Sequence, residues 1–448
     1  MGPARLFGSV RTVPPGTFPA PAPDQLNYAF AAITDALLHF VVAFGGRLNE
    51  DRLRDALMAA YRHSPVLNSR FCEADPPYWA PLHTTGPADG FRVHPTGDPG
   101  RTLRAVLATP LDATRGPQLR LDLVRSDTDT LCITLHHAAG DARALLDCAR
   151  LLAALYRERG SPRGTPVIAG PGNDRSNDRY HSLALQRTGG PAPEKREAVS
   201  DPWIFPVRSF DGRARDFAIR TLPPEYLARA RAYGKARSAT VNEVLLAAVT
   251  LALRDHRTPR SPGHLTLHHS LDLRRHYLSQ ETPAAGPGGA PAGYDISNHS
   301  VPLTVVLPCD DRQTLDSLTP LARAAMQQHR EDNSALLEVA RTEAIAQGGF
   351  AAVKDYAGWV RETNFANGGG SPFFVNVGII PEPCADFGPD LPVTNAVATA
   401  GIVVSPPGIV LGAGTFREQM TFSLGYCPDA IPPETARGFL DAVIAALP

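Results

Sequence analysis

The sequence has no pair of cysteines at CxxC spacing; its six cysteines, Cys72, Cys132, Cys148, Cys309, Cys384 and Cys427, are scattered. That lacks the pattern of a zinc ribbon or a thioredoxin-type motif, and free thiols of a reducing compartment are the expectation. Lysine is nearly absent, occurring only as Lys195, Lys235 and Lys354, and no block of basic residues stands out. With 44 Lys and Arg against 45 Asp and Glu, the formal net charge is −1. No global field then favours nucleic acid, a membrane surface or a polyanionic substrate. Residues 1–25 carry Pro and Gly where a secretory signal would have a basic segment and an apolar run. The longest apolar stretch, around Ala29–Phe44, is broken by Thr34, Asp35 and His39 and is too short to span a bilayer. A soluble, cytoplasmic protein without membrane insertion is expected, and no repeat of solenoid period is visible.

What is present is a chain of 448 residues with 43% hydrophobic content, enough for a large core and for two domains or two halves. Hydrophobic periodicity gives a strand over Leu37–Leu48, a helix over Asn49–His63 and a short strand over Val66–Phe71. A helix is expected over Gly100–Ala108. Leu119, Leu121 and Leu123 alternate with Arg120, Asp122 and Val124, and a second run from Leu131 to His137 follows the polar turn Ser126–Thr130, which is a hairpin signal. From Asp141, residues Leu145, Cys148, Leu152 and Leu155 recur at helical spacing up to Gly160.

From Gly160 to about Pro202 the pattern breaks into Gly, Pro, Ser, Asn and Arg. We place a linker at 166–203, between a first half of 1–165 and a second of 204–448. The second half resumes with a strand at Phe217–Leu222, a helix from Pro223, and Thr240-Val241-Asn242-Glu243, a capping box opening a helix to about Asp255. Strands are expected at His264–Leu273, His299–Leu307, Pro372–Ile380 and as a pair around Ile409–Tyr426, with helices at Arg312–Arg330 and Pro433–Leu447. The Pro- and Gly-rich Ser279–Gly293 reads as a mobile loop. The fold class is mixed α/β.

The segment His136-His137-Ala138-Ala139-Gly140-Asp141 carries the chemistry. On a strand, side chains alternate, so Leu131, Ile133, Leu135 and His137 share one face and Cys132, Thr134 and His136 the other. His137 then stands at the strand end, where an imidazole partly desolvated but reachable suits a general base. Ala138, Ala139 and Gly140 leave room beside it. Asp141 reads as a helix N-cap, worth ~1 kcal/mol, or as a buried carboxylate that pairs with a distant Arg. His137 as a satisfied core histidine is the plain alternative. A metal site of the form His-His-x-x-x-Asp is disfavoured, because adjacent histidines on a strand point apart.

His136–Asp141 matches the core of HHxxxDG, and so resembles the condensation-domain superfamily, which is similar to chloramphenicol acetyltransferase, nonribosomal peptide condensation domains and PapA-type acyltransferases. Gly46-Arg47-Leu48, Leu53–Leu57, Arg62–Leu67 before Arg70-Phe71, and Thr240–Leu246 also look like this superfamily. Leu271-Asp272-Leu273-Arg274-Arg275 resembles its DLR segment, and Phe374–Gly378 its SNxG strand, with Val375 in place of Ser. The resemblance covers nearly the whole chain and is to stand-alone PapA-type enzymes more than to an excised synthetase module. Ala142 departs from it, standing where the motif has Gly. Asp386-Phe387-Gly388-Pro389 shares letters with the plant acyltransferase motif but reads as a turn.

The resemblance implies two acetyltransferase-like α/β halves in a V, with a tunnel between them and His137 at its centre. It implies His137 as the base, Asp141 bracing the loop through Arg274, with Arg275 an equal competitor by spacing alone, and His136 packed behind the loop. Ala142, Asn298, Asn376 and Gly378 would line the tunnel, although a buried Asn can equally satisfy nearby backbone. The implied activity forms an ester or amide from a thioester on an acyl or peptidyl carrier protein or coenzyme A and a small-molecule hydroxyl or amine, in specialised-metabolite assembly. No permanently bound cofactor is implied; the phosphopantetheine-linked donor is a substrate. Alternatives are cyclisation, elimination or isomerisation of a bound intermediate, and a non-catalytic domain that docks a carrier protein.

Overall fold

In the computed structural model the described residues are 13–83, 90–158, 175–188, 214–256, 263–278, 293–366, 372–399, 401–405 and 408–448. The alternating run before the His–His pair does form a hairpin: Leu119–Arg125 and Asp129–His136 are antiparallel, with Arg125 opposite Asp129. Asp129–His136 also pairs with Leu37–Phe44, placing Leu37 opposite His136. That strand is shorter than the sequence pattern suggests because Gly45 and Gly46 follow Phe44. Phe91–Pro95 lies parallel to Leu119–Arg125 at one edge of this five-stranded sheet. Val66–Phe71 divides differently from expectation, into a single 3-10 turn, Pro65–Asn68, and a strand, Ser69–Cys72. Pro65 pre-sets the start of that turn.

The helix Glu50–His63 starts where the Asn49 side chain accepts from the Arg52 amide. Together with the helix Ala142–Glu158 it covers one sheet face, where Leu53, Ala56, Leu57, Leu145 and Leu152 join Phe40, Val42, Leu131 and Ile133 in one core. The opposite face is not solvated. Val41, Val124 and Cys132 pack with Phe217, Leu245 and Leu265 of the second half. Both faces of the strand leading to His136 are therefore buried, so alternation alone does not decide which histidine is reachable.

The second half holds a six-stranded sheet in the order Ser300–Pro308, His264–Asp272, Phe373–Ile379, Ile409–Phe416, Gln419–Tyr426, Asp216–Thr221. Phe373–Ile379 is parallel to both its neighbours and the remaining pairs are antiparallel. The capping box closes as read: the Thr240 amide donates to Glu243 Oε2 at 2.7 Å and the Glu243 amide to Thr240 Oγ1 at 3.4 Å. The helix it opens, Val241–Asp255, is buried without a break from Glu243 to Leu253. Leu315–Glu331 and Pro433–Ala445 share its core.

Three features go beyond the sequence reading. The strand Val393–Thr399 leaves the second half and adds to the first sheet, antiparallel to Leu37–Phe44. Within the stretch read as linker, Asp178–Thr188 is a helix whose Tyr180 and Ala184 pack on Leu336 and Val339. The latter belong to Ser334–Gln347, the first of two further helices, with Phe350–Ala366. Of the Ser279–Gly293 loop only Gly293 lies within the described residues, and residues 166–174 and 189–203 lie outside them. Among the described residues no single helix is long and apolar enough to cross a membrane.

Candidate active site

The strand ends at His136 because the next amide turns away: His137 N–H donates to Ala36 O at 2.7 Å. Two tight turns follow, with Ala139 N–H on His136 O (2.9 Å) and Gly140 N–H on His137 O (3.3 Å). Ala138 and Ala139 are fully buried. Gly140 is required by space: a Cβ there would stand 2.7 Å from the Ala144 Cβ and 3.1 Å from Leu135 Cδ2. The loop is thus compact, and the helix beginning at Ala142 is locked directly against it.

Asp141 performs both roles that the sequence allowed. Its Oδ1 accepts from the Ala144 amide at 3.0 Å, capping the helix. Its Oδ2 reaches the second half, accepting from Arg274 (2.9 Å), the His299 amide (2.7 Å) and Ser300 Oγ (3.1 Å). Arg274 in turn donates to Asp295 (2.9 Å), Asp272 (3.1 Å) and the Ser297 carbonyl (2.9 Å). Burial works to raise the Asp141 carboxyl, yet the Arg274 guanidinium and the amide donors hold it well below the usual carboxylate range. Burial likewise opposes the charge on Arg274, and the three carboxylates outweigh it. The result is a charged clamp joining the loop of one half to the strand end of the other.

The two histidines are separated as expected, but His136 does more than pack. Its Nδ1 accepts from the Ala138 amide at 3.2 Å, which leaves a proton for Nε2. Burial, followed by the neighbouring His137, pushes it down to about 3, so it is neutral. It lines a cavity of about 460 Å³ with Tyr28, Asp35, Asp112, Thr114 and Arg215. Asp35 is raised to about 6 by burial, against the pull of the Ile402 amide and Arg215.

His137 is half-buried. Burial lowers its pKa; its own backbone carbonyl, Asp141, Asn298 and Asp24 act against that fall. Its Nδ1 is enclosed without a well-formed hydrogen bond. A neutral imidazole near pH 7 follows, able to take up a proton.

Sequence reasoning missed the support behind this loop. Asp24, on the helix Ala22–Ala29, is fully buried and accepts from Trp79 Nε1 (2.9 Å), Arg175 Nη2 (2.9 Å) and Asn298 Nδ2 (3.0 Å). Asn298 Nδ2 also donates to the Ala138 carbonyl (3.0 Å), and Arg175 to that of Ala139 (2.8 Å). His299, brought down to about 4 by burial and the Arg274 charge, bonds through Nδ1 to Asn177 Oδ1 at 2.5 Å. An Asp in a first helical turn and an Arg in a Gly- and Pro-rich stretch give no sequence signal of this kind. Their proximity exists only in the folded chain.

The remaining expected site residues fall in different places. Ala142, half-buried, is the first residue of its helix, beside the clamp. Asn376 and Gly378 lie on Phe373–Ile379, where Asn376 Nδ2 donates to Asn242 Oδ1 (3.0 Å) and its Oδ1 accepts from the Gly378 amide (2.9 Å). The Asn376 carboxamide is therefore engaged within its own half, and Gly378, at φ +74°, takes the backbone conformation that suits glycine. Asp386-Phe387-Gly388 follows a 3-10 turn, with Phe387 buried against Phe44 and Tyr156. Among the described residues no three His, Cys, Asp or Glu side chains are grouped to hold a metal ion.

Two α/β halves, one strand exchanged between them, and a His–His loop clamped across their junction form the fold also seen in solved condensation domains, with two chloramphenicol acetyltransferase-like halves. Three of the solved structures it resembles each match 96% of the chain. Polyketide synthase associated protein 5 from Mycobacterium tuberculosis superposes with a TM-score of 0.65 at 15% identity, over 96% of this chain and 98% of that one. The first condensation domain of the CDA synthetase gives 0.65 at 17% identity, over 96% and 94%. The epimerization domain from the third module of tyrocidine synthetase B gives 0.67 at 13% identity, over 96% and 95%. No family model matches the sequence, and no curated protein matches it.

Proposed function

We propose that the chain is an acyltransferase that joins an acyl thioester to a hydroxyl or amine, with His137 as general base. The attacking oxygen or nitrogen forms a bond to the acyl carbon while its proton passes to His137 Nε2. The carbon–sulfur bond then breaks, and the proton moves from the imidazolium to the departing thiolate. A thioester needs no further activation, so the protein's work is alignment and proton transfer.

The observation that carries this reading is His137 itself: a neutral, half-buried imidazole on a loop of small residues, held rigidly across two halves by Asp141 and Arg274. Asp141 braces the loop and exchanges no proton, since its carboxyl is held ionised. The donor in this reading is phosphopantetheine-linked, on coenzyme A or on a carrier protein, and the setting is assembly of a specialised metabolite. Likeness in fold to a polyketide synthase associated protein and a condensation domain supports that setting.

The test incubates the protein with a panel of acyl thioesters and small alcohols and amines and measures thiol release and product mass. His137→Ala, still folded, loses product; undiminished turnover by that variant ends the proposal. A second reading, isomerisation or cyclisation of one bound substrate, is favoured by the likeness to an epimerization domain and by Ala142 at the motif glycine position. Mass separates the two: transfer yields a product joining both substrates, whereas isomerisation leaves the mass of one unchanged.

A further inference from the structure

His136 Nδ1 accepts from the Ala138 amide at 3.2 Å, so the ring proton sits on Nε2. The residue is 4% exposed, its ring lines the cavity of about 460 Å³, and no described residue accepts that proton. A second mismatch lies on the same cavity. Asp35, its side chain wholly buried, gives Oδ1 to the amides of Ile402 (2.8 Å) and Leu37 (3.3 Å), while its Oδ2 lacks a hydrogen-bond partner. Arg215 Nε lacks one too and stands 4.0 Å from that oxygen. Buried polar groups are nearly always paired, so unmatched groups converging on one cavity point to a ligand.

The chemistry of the gap selects its occupant. At 4.0 Å the Arg215–Asp35 contact is too long for a hydrogen bond, yet one oxygen about 2.8 Å from each atom serves both. That oxygen must donate to the carboxylate and accept from the guanidinium, which a hydroxyl does. The Arg215 side chain, 23% exposed, makes no hydrogen bond to another described residue and is able to swing aside to admit it. An ammonium would stand against Arg215 and offer no acceptor to the His136 proton. A carboxylate would face Asp35 and Asp112, with Lys354 already drawn to Glu73 at 3.0 Å. The His136 Nε2–H calls for a second acceptor oxygen, and Ala29, Ala32, Pro110 and Leu111 give an apolar wall for a carbon frame.

We propose that this cavity binds an uncharged molecule bearing at least two hydroxyl groups, one held between Asp35 and Arg215 and another accepting from His136 Nε2–H. His137 is not among the residues lining the cavity, so the site is separate from the proposed base and does not rest on it.

The test is nitrogen-15 NMR of the full chain labelled at its 14 histidines, the His136 ring signals being those lost in His136→Gln. The chain is titrated with three probes of similar size: the cis vicinal diol of cyclohexane, cyclohexylammonium and cyclohexanecarboxylate. At about pH 8 the Asp35 carboxyl, raised to about 6, is ionised. The diol shifts His136 Nε2 and binds at least about fivefold more tightly than either ion. Arg215→Met weakens the diol about tenfold and strengthens the ammonium, whereas Asp35→Asn weakens the diol and strengthens the carboxylate. Asp35→Asn keeps an oxygen for the Leu37 and Ile402 amides; should it fail to fold, Arg215→Met decides alone. A His136 signal that the diol leaves unmoved, an ion that binds as tightly, or a diol affinity unchanged in Arg215→Met overturns the proposal.

Discussion

Replacing Arg274 by Met removes the cation that serves Asp141, Asp272 and Asp295 at 2.9, 3.1 and 2.9 Å. The side chains of Arg274 and Asp141 are 11% and 2% exposed, so water cannot take the guanidinium's place. Breaking one partner of a buried ion pair costs about 3–5 kcal/mol, because the other charge stays buried and uncompensated. Here three carboxylates are left facing one another, although Asp141 keeps the amides of Ala144 and His299 and the hydroxyl of Ser300. The expected loss for Arg274→Met is accordingly about 3–5 kcal/mol in urea unfolding followed by tryptophan fluorescence. Arg274→Lys, which keeps the charge without the fork, lies between it and the wild type. In a double-mutant cycle Asp141→Asn costs less in the Met background than in the wild type. The Asp141 carboxyl is depressed on folding from 3.8, so its share of stability is present above about pH 4 and lost as pH falls through the folded value. The Arg274→Met loss should be smaller at pH 6 than at pH 8, because the uncompensated carboxylates and His299, no longer held down by the Arg274 charge, take up protons more readily in the folded variant. A loss below about 1 kcal/mol, or strict additivity in the cycle, would refute the clamp.

Other perturbations test the surroundings. His39, His136, His269 and His299 are held neutral by burial, at about 3, 3, 4 and 4 against 6.5 when unfolded. A depressed histidine contributes stability that is intact above about pH 6.5 and falls as the unfolded chain takes up protons below it. Each should remove roughly 1 kcal/mol between pH 6 and pH 5, seen as a steep drop of the urea midpoint; a flat midpoint over that range counts against their burial. Gly140→Ala forces a Cβ against Ala144 and Leu135 and should cost about 1–3 kcal/mol by overpacking, with turnover falling further as the loop shifts. The acid limb of the pH–rate profile should lie below pH 6.5, because His137 is lowered by burial and must be unprotonated to act.

Much of the scaffold was legible because it depends on local pattern. Alternation gave the Leu119–His136 hairpin, Thr240 and Glu243 announced their helix, and the His–His loop stood out as a motif, whereas Arg274 as its partner came only from the family resemblance, Arg275 being an equal candidate by spacing. The helix Asp178–Thr188 was hidden because its neighbours in sequence carry Gly, Pro and Ser, and only two of its residues, Tyr180 and Ala184, are buried. The strand Val393–Thr399 was missed because pairing partner and sequence neighbours lie in different halves, and register across such a distance leaves no periodic trace. Asp24 and Arg175 look ordinary alone, and Asn298 was expected at the site without its partners; only the packing of the two halves turns the three into one buried network.

The separation of the two adjacent histidines is the centre of the account, and one comparison tests it. Thioester turnover is measured for His136→Ala and His137→Ala, each with its fold verified by circular dichroism. Loss of the general base should lower turnover by about 10²–10⁴-fold in His137→Ala, whereas His136→Ala, which removes a neutral ring from the cavity side of the loop, should stay within tenfold of the wild type. Equal losses, or a loss confined to His136→Ala, would contradict the assignment of His137 as the base.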